Sequence, residues 1–532
     1  MTTAGSTPLW TRREDLLAAL GEDKTWDLAV IGGGATGLGV ALDAAMRGFS
    51  VVLLESRDFA AGTSSRATKL VHGGVRYLAQ GNVPLVTEAL HERSRLLHNA
   101  PHLARPLAFV MPAYQWWEVP FYGIGLKMYD LLAGSHGLGR TEFLSRHETL
   151  RCLPGVQARG LVGGVKYWDG QFDDARVALA LARTAAAQDA LLVNHCPVDG
   201  LIHDDGKVAG VVCEDRETGR LLSVRARCVV NATGVWVDGV RAMDGDALGH
   251  PVRPMVAPSQ GVHLVVDAEF LPGDHALLVP KTRDGRVLFA VPWMGKLILG
   301  TTDTPRHDLA LEPEPFAHEV AFILNESARY LRRPPQRTDV RSCWVGLRPL
   351  VKAPEAGEED TKALSREHTV LISHSGLVTV TGGKWTTYRS MAEDVLRKCM
   401  TENLLPHRSG GVTRHQMLVG ADKTIPTQAP LGNPGALQPY GSEAAAVLAL
   451  PGAQRQLGGG LTEAMVRFAA RHEYARTVED VLARRVRLLF LDARLAGSLA
   501  PQVGAILAQE TGRDPEIAAF EALAAKYLLL PA

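Results

Sequence analysis

The sequence predicts an α/β plus α protein: a parallel sheet with a crossover helix, an antiparallel sheet interleaved with it along the chain, and a helical C-terminal domain. Three observations carry that expectation. Residues 27–55 run as apolar stretch, glycine turn, helical stretch and second apolar stretch. Short strand-like runs crowd residues 255–380, and from about 461 apolar residues recur at helical spacing. At 532 residues the chain is too long for one hydrophobic core, so two or three domains are expected. Fifty-seven basic residues balance 57 acidic ones, which excludes a global field drawing the chain to nucleic acid. Any anion selectivity must be local.

Residues 1–24 read as an N-terminal extension. Their short apolar stretch carries charges and does not resemble a secretory signal. No run of about 18 apolar residues occurs, so no bilayer-spanning helix is expected. In DLAVIGGGATGLGVALDAAMRGFSVVLLE, Leu28–Ile31 suits a buried parallel strand, and Gly32, Gly34 and Gly37 open a helix. A second strand ends in Glu55. The glycines permit a tight turn and let backbone approach a pyrophosphate at the helix N-terminus; the terminal acid can bond ribose hydroxyls. Dinucleotide binding follows, without separating FAD from NAD. FAD is favoured because CVVNATG (228–234) reads as a later strand returning to the same nucleotide, and no second complete fingerprint occurs to dock NAD(P).

Residues 25–85 are thus the nucleotide core. The segment 86–227 alternates helical and strand-like runs, and with 255–350 it forms a substrate domain. The chain returns to the nucleotide domain at 228–240 and 376–400. Pro/Gly-rich residues 401–460 read as a linker or loop region, and 461–532 as a helical domain. In VEDVLARRVRLLFLDARLA, Val478, Val481, Leu482, Leu488 and Leu489 make an apolar stripe and Arg484–Arg485 a solvated face. Asp173–Asp174 begin a helix rather than forming a paired-acid site. The six scattered cysteines form no C-x-x-C pair and read as reduced thiols; no metal cluster is expected. The segment QWWEVPFYGIGLKMYDLL (115–132) groups aromatics around a short apolar helix, which suits a bilayer interface, a buried hairpin or a dimer contact equally.

One stretch, TSSRATKLVHGGVRYL (63–78), gathers Arg66, Lys69, His72 and Arg76 around a Gly-Gly pair. Together with NATGVWVD, VPWMGKLILGTTDT, VGLRPL, TGGKWTTYRSMAED and the C-terminal RHEYARTVEDVLARRVRLLFLD, it resembles the FAD-dependent glycerol-3-phosphate dehydrogenases over most of residues 25–495. The resemblance implies a D-amino-acid-oxidase/glutathione-reductase-like FAD fold with a helical C-terminal domain. It also implies oxidation of sn-glycerol 3-phosphate to dihydroxyacetone phosphate, with electrons passed to membrane quinone.

Residue by residue, the resemblance implies that Arg76 grips the substrate phosphate and Tyr77 adds a hydroxyl donor. Thr63, Ser64, Ser65, Lys69, His72, Gly73, Gly234, Gly383, Lys384 and Thr386 would join Gly32, Gly34, Gly37 and Glu55 on the cofactor side. Gly73–Gly74 would let backbone approach the ring. Arg66 has no assigned role and reads as solvated. His263 would be the general base, its ordinary pKa near 6.5 suiting proton acceptance. Arg348 would hold the reacting oxygen, and Lys384 would sit near substrate and flavin. Thr386 and Thr387 are also plausible helix caps. The chain departs from the commoner Lys-Gly-Ser-His wording, having Gln260-Gly261-Val262-His263. A cytoplasmic protein peripherally attached to the cytoplasmic membrane is implied, with a homodimer possible. The competing readings are a glycerol-3-phosphate oxidase using oxygen, an amine or amino-acid oxidase on the same scaffold, and a non-catalytic flavin-binding protein.

Overall fold

The computed structural model describes residue 9 and residues 11–74, 82–283, 285–352, 367–422 and 429–531. The apolar run Thr25–Ile31 forms a strand at the centre of a sheet ordered His368–Ile372, Val378–Gly382, Arg220–Asn231, Thr25–Ile31, Val51–Leu54, Leu191–Val193. The last five of these strands are mutually parallel. Their C-terminal ends therefore share one edge, and the three glycine-bearing turns after Ile31, Asn231 and Thr381 lie along it. Helices Ala35–Met46, Asp174–Ala186 and Tyr388–Thr401 cover one face, burying Leu38, Val40, Val177, Leu181, Val395 and Leu396 against Val30, Val51, Leu53 and Val230. The other face packs on the antiparallel strands Val198–Asp204 and Lys207–Asp215 and on the helix Arg13–Leu20.

A second sheet of ten strands is almost wholly antiparallel. One long pairing joins Val256–Asp267 to Ser342–Val351, with His263 opposite Trp344 and Ser259 opposite Arg348. Strand alternation sends Val262, Leu264 and Val266 into a core with the helix Ala317–Tyr330. Val265 and Trp344 face the other way, into the core shared with the C-terminal helices. The two strands Leu70–Val71 and Ala104–Ala113 also belong to this sheet, so the chain crosses between sheets within the segment carrying TSSRATKL.

The structure adds detail to two stretches and overturns one expectation. Among its described residues the stretch 401–460 is mostly turn and loop, with Leu405, Leu418, Leu431, Tyr440 and Val447 buried and Ala444–Leu448 helical. Apolar side chains between its Pro and Gly residues find cores to fill. The C-terminal stripe is carried by a π-helical turn Asp480–Arg485, a short helix Leu488–Leu491 and a long one Ala493–Thr511, with Arg487 left-handed at φ 61°. The apolar stripe itself is buried throughout. Finally, Arg484 and Arg485 are not solvated. Both are buried and converge on the fully buried Asp58, which also accepts from Asn194 Nδ2.

That last cluster ties the C-terminal helices to the nucleotide core. Arg485 Nη2 is 2.9 Å and Nη1 2.5 Å from the Asp58 carboxylate. Arg484 also bonds Asp480 Oδ1 at 2.8 Å and Glu479 Oε1 at 2.6 Å. Removing one partner of such a buried pair leaves a charge uncompensated, at a cost of about 3–5 kcal/mol. Asp58→Ala is expected to lower the thermal unfolding midpoint markedly and to expose residues 461–531 to proteolysis. Differential scanning fluorimetry with limited proteolysis checks both.

Candidate active site

The glycine turn builds the first wall. Gly32 takes φ 107°, a conformation open to glycine, and a side chain at Gly37 would lie 2.0 Å from the Gly32 carbonyl oxygen. The first turn of the helix is thus pressed onto the strand end with backbone bare. Glu55 closes the turn: its Oε2 accepts from Gly33 N at 2.6 Å and its Oε1 from Arg57 N at 2.8 Å. Ser64 Oγ accepts from Ala35 N at 2.9 Å, so the TSSRATKL segment folds over the helix N-terminus. Gly34 approaches the same hydroxyl.

The later turns sit beside it. Gly234 is left-handed (φ 65°), its carbonyl accepts from Thr381 Oγ1 at 3.0 Å, and an added side chain there would meet open space. Gly382 and Gly383 are also left-handed, at φ 80° and 72°. Lys384 then leads into the turn Trp385–Thr387 and the helix Tyr388–Thr401. Thr387 stands at the helix start without a side-chain cap. Thr386 is not a cap either: its buried hydroxyl meets His72, accepting from the backbone N at 3.3 Å and lying 3.4 Å from the backbone O. Trp385 Nε1 donates to Ser64 O at 2.8 Å. The HGG and GGKWTT motifs, about 310 residues apart in sequence, are therefore one structural unit.

The antiparallel sheet supplies the opposite wall. A side chain at Gly346 would lie 2.6 Å from Arg66 O, so the TSSRATKL backbone crosses directly over the face carrying His263 and Arg348. Thr63 Oγ1 donates to Leu347 O at 2.6 Å on the same strand. His263 is almost fully buried. Its ring stacks on Trp344 at 5.2 Å between centroids, and its Nε2 lies 2.9 Å from Thr68 Oγ1. Burial first, then the positive Lys69 and Arg348, hold its pKa well below the ordinary value, so the imidazole is neutral at pH 7. Arg348 is about a quarter exposed, at 24%. Its Nη1 bonds Asp303 Oδ1 at 3.2 Å, while its Nη2 bonds Thr301 Oγ1 at 3.1 Å and Thr302 O at 2.9 Å.

The departure at Gln260 and Val262 resolves by strand period. Both side chains point away from His263, to the opposite face. There Gln260 bonds Arg306 and Glu319, and Val262 N donates to Thr302 Oγ1 at 3.0 Å. Neither substitution reaches the histidine.

Lys69 belongs beneath the site rather than against the cofactor. It is fully buried, left-handed at φ 65°, and its Nζ bonds Asp174 Oδ2 at 2.7 Å and Ser65 O at 2.6 Å. Trp293, Trp344 and Phe490 enclose the ammonium. Burial pushes its pKa down, with Asp174 opposing. Arg487, also fully buried, bonds the same two partners, Ser65 O at 2.7 Å and Asp174 Oδ1 at 3.1 Å. Ser65 thus spends its carbonyl on support. Asp173 caps the helix Asp174–Ala186 as expected, but Asp174 has the further task of pairing two cations. Arg66 is not solvated: it is buried and paired with Glu312, which holds the guanidinium above its ordinary pKa against the effect of burial. Arg76 and Tyr77 lie outside the described residues.

Thr68, Trp344, Asp303 and Arg487 escaped the sequence reading. Thr68 stood inside the quoted motif, but only the fold brings it to His263. The pairing of Trp344 with His263 is a register fact that no spacing within either strand reveals.

The residues present fit a flavin dinucleotide: a glycine turn at a helix N-terminus, an acid at the end of the second strand, and two further left-handed glycine turns on the same sheet edge. Comparison with known proteins agrees. The family profile of the FAD dependent oxidoreductases (DAO) matches residues 27–389, and that of the C-terminal domain of alpha-glycerophosphate oxidase matches residues 412–517. The chain is 41% identical to the mitochondrial glycerol-3-phosphate dehydrogenase of Rattus norvegicus, over 94% of this chain and 72% of that protein. It is 40% identical to the mitochondrial glycerol-3-phosphate dehydrogenase SDP6 of Arabidopsis thaliana, over 95% and 86%. The crystal structure of the Bacillus halodurans glycerol-3-phosphate dehydrogenase complexed with FAD superposes with a TM-score of 0.75 at 28% identity, covering 97% of each chain. With its two motif-bearing sheets and its helical C-terminal domain, the chain belongs to the FAD-dependent glycerol-3-phosphate dehydrogenase family.

Proposed function

We propose that this protein oxidises sn-glycerol 3-phosphate to dihydroxyacetone phosphate at the cleft between the two sheets and passes the electrons to a membrane quinone. The observation that carries the reading is the convergence of His263 and Arg348 on one sheet face beneath the TSSRATKL segment. The turn ending that segment is hydrogen-bonded to the Lys384 turn. Bound FAD supplies the acceptor for the hydride that leaves the secondary carbon. Glycine turns 32–37 and 234, with Glu55 and Ser64, would hold its phosphates and ribose.

The chain's own residues do the rest. Neutral His263 takes the hydroxyl proton, with Thr68 Oγ1 2.9 Å from its Nε2 to orient the ring. Arg348, tethered by Asp303, the Thr301 hydroxyl and the Thr302 carbonyl, fixes the reacting oxygen and stabilises alkoxide character. Lys384 adds positive charge, and Arg76 with Tyr77 would grip the phosphate by bidentate and hydroxyl contacts. A phosphate dianion entering near Arg348 opposes part of the cationic depression of the His263 pKa, while burial, the larger cause, remains. An amino-acid substrate would bring only a single carboxylate charge to these cations.

The helix Glu118–Ala133 supports attachment to a lipid surface. Trp117, Phe121, Ile124, Met128 and Leu131 follow a four–three spacing and share one face, on which Phe121 is 65% and Leu131 82% exposed. Trp116 beside them is 77% exposed, and Lys127 lies 4.7 Å over the Phe143 ring at the margin. Aromatic residues, one cation and an apolar stripe suit the headgroup–acyl boundary of the cytoplasmic leaflet. Among the described residues no helix is long and apolar enough to cross a membrane.

Anaerobic mixing of the holoenzyme with glycerol 3-phosphate is expected to bleach the flavin, and turnover with a quinone analogue is expected to exceed peroxide formation. An unbleached flavin overturns the substrate assignment, and dominant peroxide makes the protein an oxidase. His263→Asn should slow flavin reduction by about 10²–10⁴-fold with FAD retained. In the wild-type kcat/KM profile, corrected for ionisation of the substrate phosphate, the acid limb should lie below pH 6.5, because the free enzyme's imidazole is already neutral there. Phe121→Glu with Leu131→Glu should abolish co-sedimentation with anionic vesicles while leaving bleaching intact. Loss of a dimer instead would reassign this face to a second copy of the chain.

A further inference from the structure

The helix that carries the exposed aromatic stripe has a second role on its inner side. Tyr129 is buried there, 1% exposed, with its ring edge-on to Tyr167 at 6.5 Å. Its hydroxyl accepts from Gly73 N at 2.8 Å and donates to Asp169 Oδ2 at 2.8 Å. Asp169, also buried, accepts through Oδ1 from Arg93 Nη1 at 2.9 Å and Gly170 N at 3.2 Å. Arg93 in turn donates to His136 O at 2.9 Å, in the turn that ends the aromatic helix. Burial first and Asp169 second raise the phenol pKa well above its ordinary value, so the hydroxyl stays a donor to the carboxylate.

This arrangement gives Gly73 a reason beyond cofactor approach. A side chain there would lie 2.5 Å from Tyr129 Oη and 2.8 Å from Leu90 Cδ2. The turn His72–Gly74 is consequently pinned from two directions: Thr386 holds His72 from the Lys384 side, and Tyr129 holds Gly73 from the aromatic helix. Gly74, left-handed at φ 80°, leads in sequence toward Arg76. We propose that Tyr129 is a positioning residue of the active site. Its hydroxyl, anchored by the Asp169–Arg93 pair, fixes the backbone of the His72–Gly74 turn and thereby the geometry presented to flavin and phosphate. This rests on the function proposed above, since the turn matters only if that cleft is the site.

The test uses the FAD-loaded full chain and its Tyr129→Phe variant, which keeps the ring and removes one oxygen. Tyr167→Phe, an equivalent deletion in the same core that leaves Gly73 untouched, is the control. Tyr129→Phe is expected to retain stoichiometric FAD and to shift the visible flavin absorption band. It should raise the glycerol 3-phosphate concentration for half-maximal anaerobic flavin reduction about tenfold, with a smaller change in the limiting rate, while Tyr167→Phe matches wild type. A wild-type spectrum and wild-type substrate dependence in Tyr129→Phe would overturn the proposal. So would equal loss of FAD from both variants, which would make the hydroxyl a matter of core stability alone. If Tyr129→Phe does not fold, Asp169→Asn, which releases the anchor but leaves the phenol, should give the same spectral shift or the proposal falls. Should wild type itself not be reduced by glycerol 3-phosphate, the function proposed above fails, and the spectral comparison still decides the role of Tyr129.

Discussion

Two buried carboxylates, Asp58 and Asp174, hold this molecule together where its three structural parts meet. Each pairs with two cations that come from far along the chain: Arg484 and Arg485 at the first, Lys69 and Arg487 at the second. Taking these charges out of water is costly, and their mutual attraction offsets that cost only in good geometry with further hydrogen bonds. The further bonds are present. Ser65 O, Glu473 O, Asp480 and Asn194 fill the remaining positions. The TSSRATKL segment therefore cannot leave its place over the His263 face without stranding charges, which makes it a rigid wall rather than a loop.

That rigidity explains why the left-handed backbones of Lys69 and Arg487 persist. A non-glycine residue in this region costs on the order of 1 kcal/mol or more and survives only where its surroundings over-determine it. Both residues end on the same aspartate and the same carbonyl, and aromatic rings of Trp293 and Phe490 close around them. The helical C-terminal domain thus acts on the cleft from behind. Its buried Arg484, Arg485 and Arg487 bond Asp58, Asp174 and the Ser65 carbonyl and so hold the TSSRATKL segment in place.

The glycines tell a similar story from the other side of the cleft. Those at the ends of the parallel strands leave backbone bare where a dinucleotide would lie, as their spacing announced. Gly73 is bare for a different reason, the close approach of Tyr129, and spacing could not announce that. The same distinction runs through the cations. Arg348 and His263 were singled out through the motifs they sit in, whereas the burial of Arg66, Arg484 and Arg485 was missed. Local sequence around an arginine carries no information about a carboxylate hundreds of residues away.

By itself the sequence determined the strand–glycine–helix–strand unit, the alternating strands of the second sheet, the apolar stripe near the C-terminus and the motifs that mark the family. All of these are local: period, turn chemistry and side-chain type act within a few residues of one another. Only the tertiary structure decided that Lys69 supports rather than binds, that Thr68 meets His263, that Gln260 and Val262 turn away from it, and that a C-terminal helix breaks at Arg487 to deliver a cation. Each of those depends on register or on long-range charge pairing. Both are fixed when distant segments compete for the same buried partner, a competition that no short stretch of residues can express.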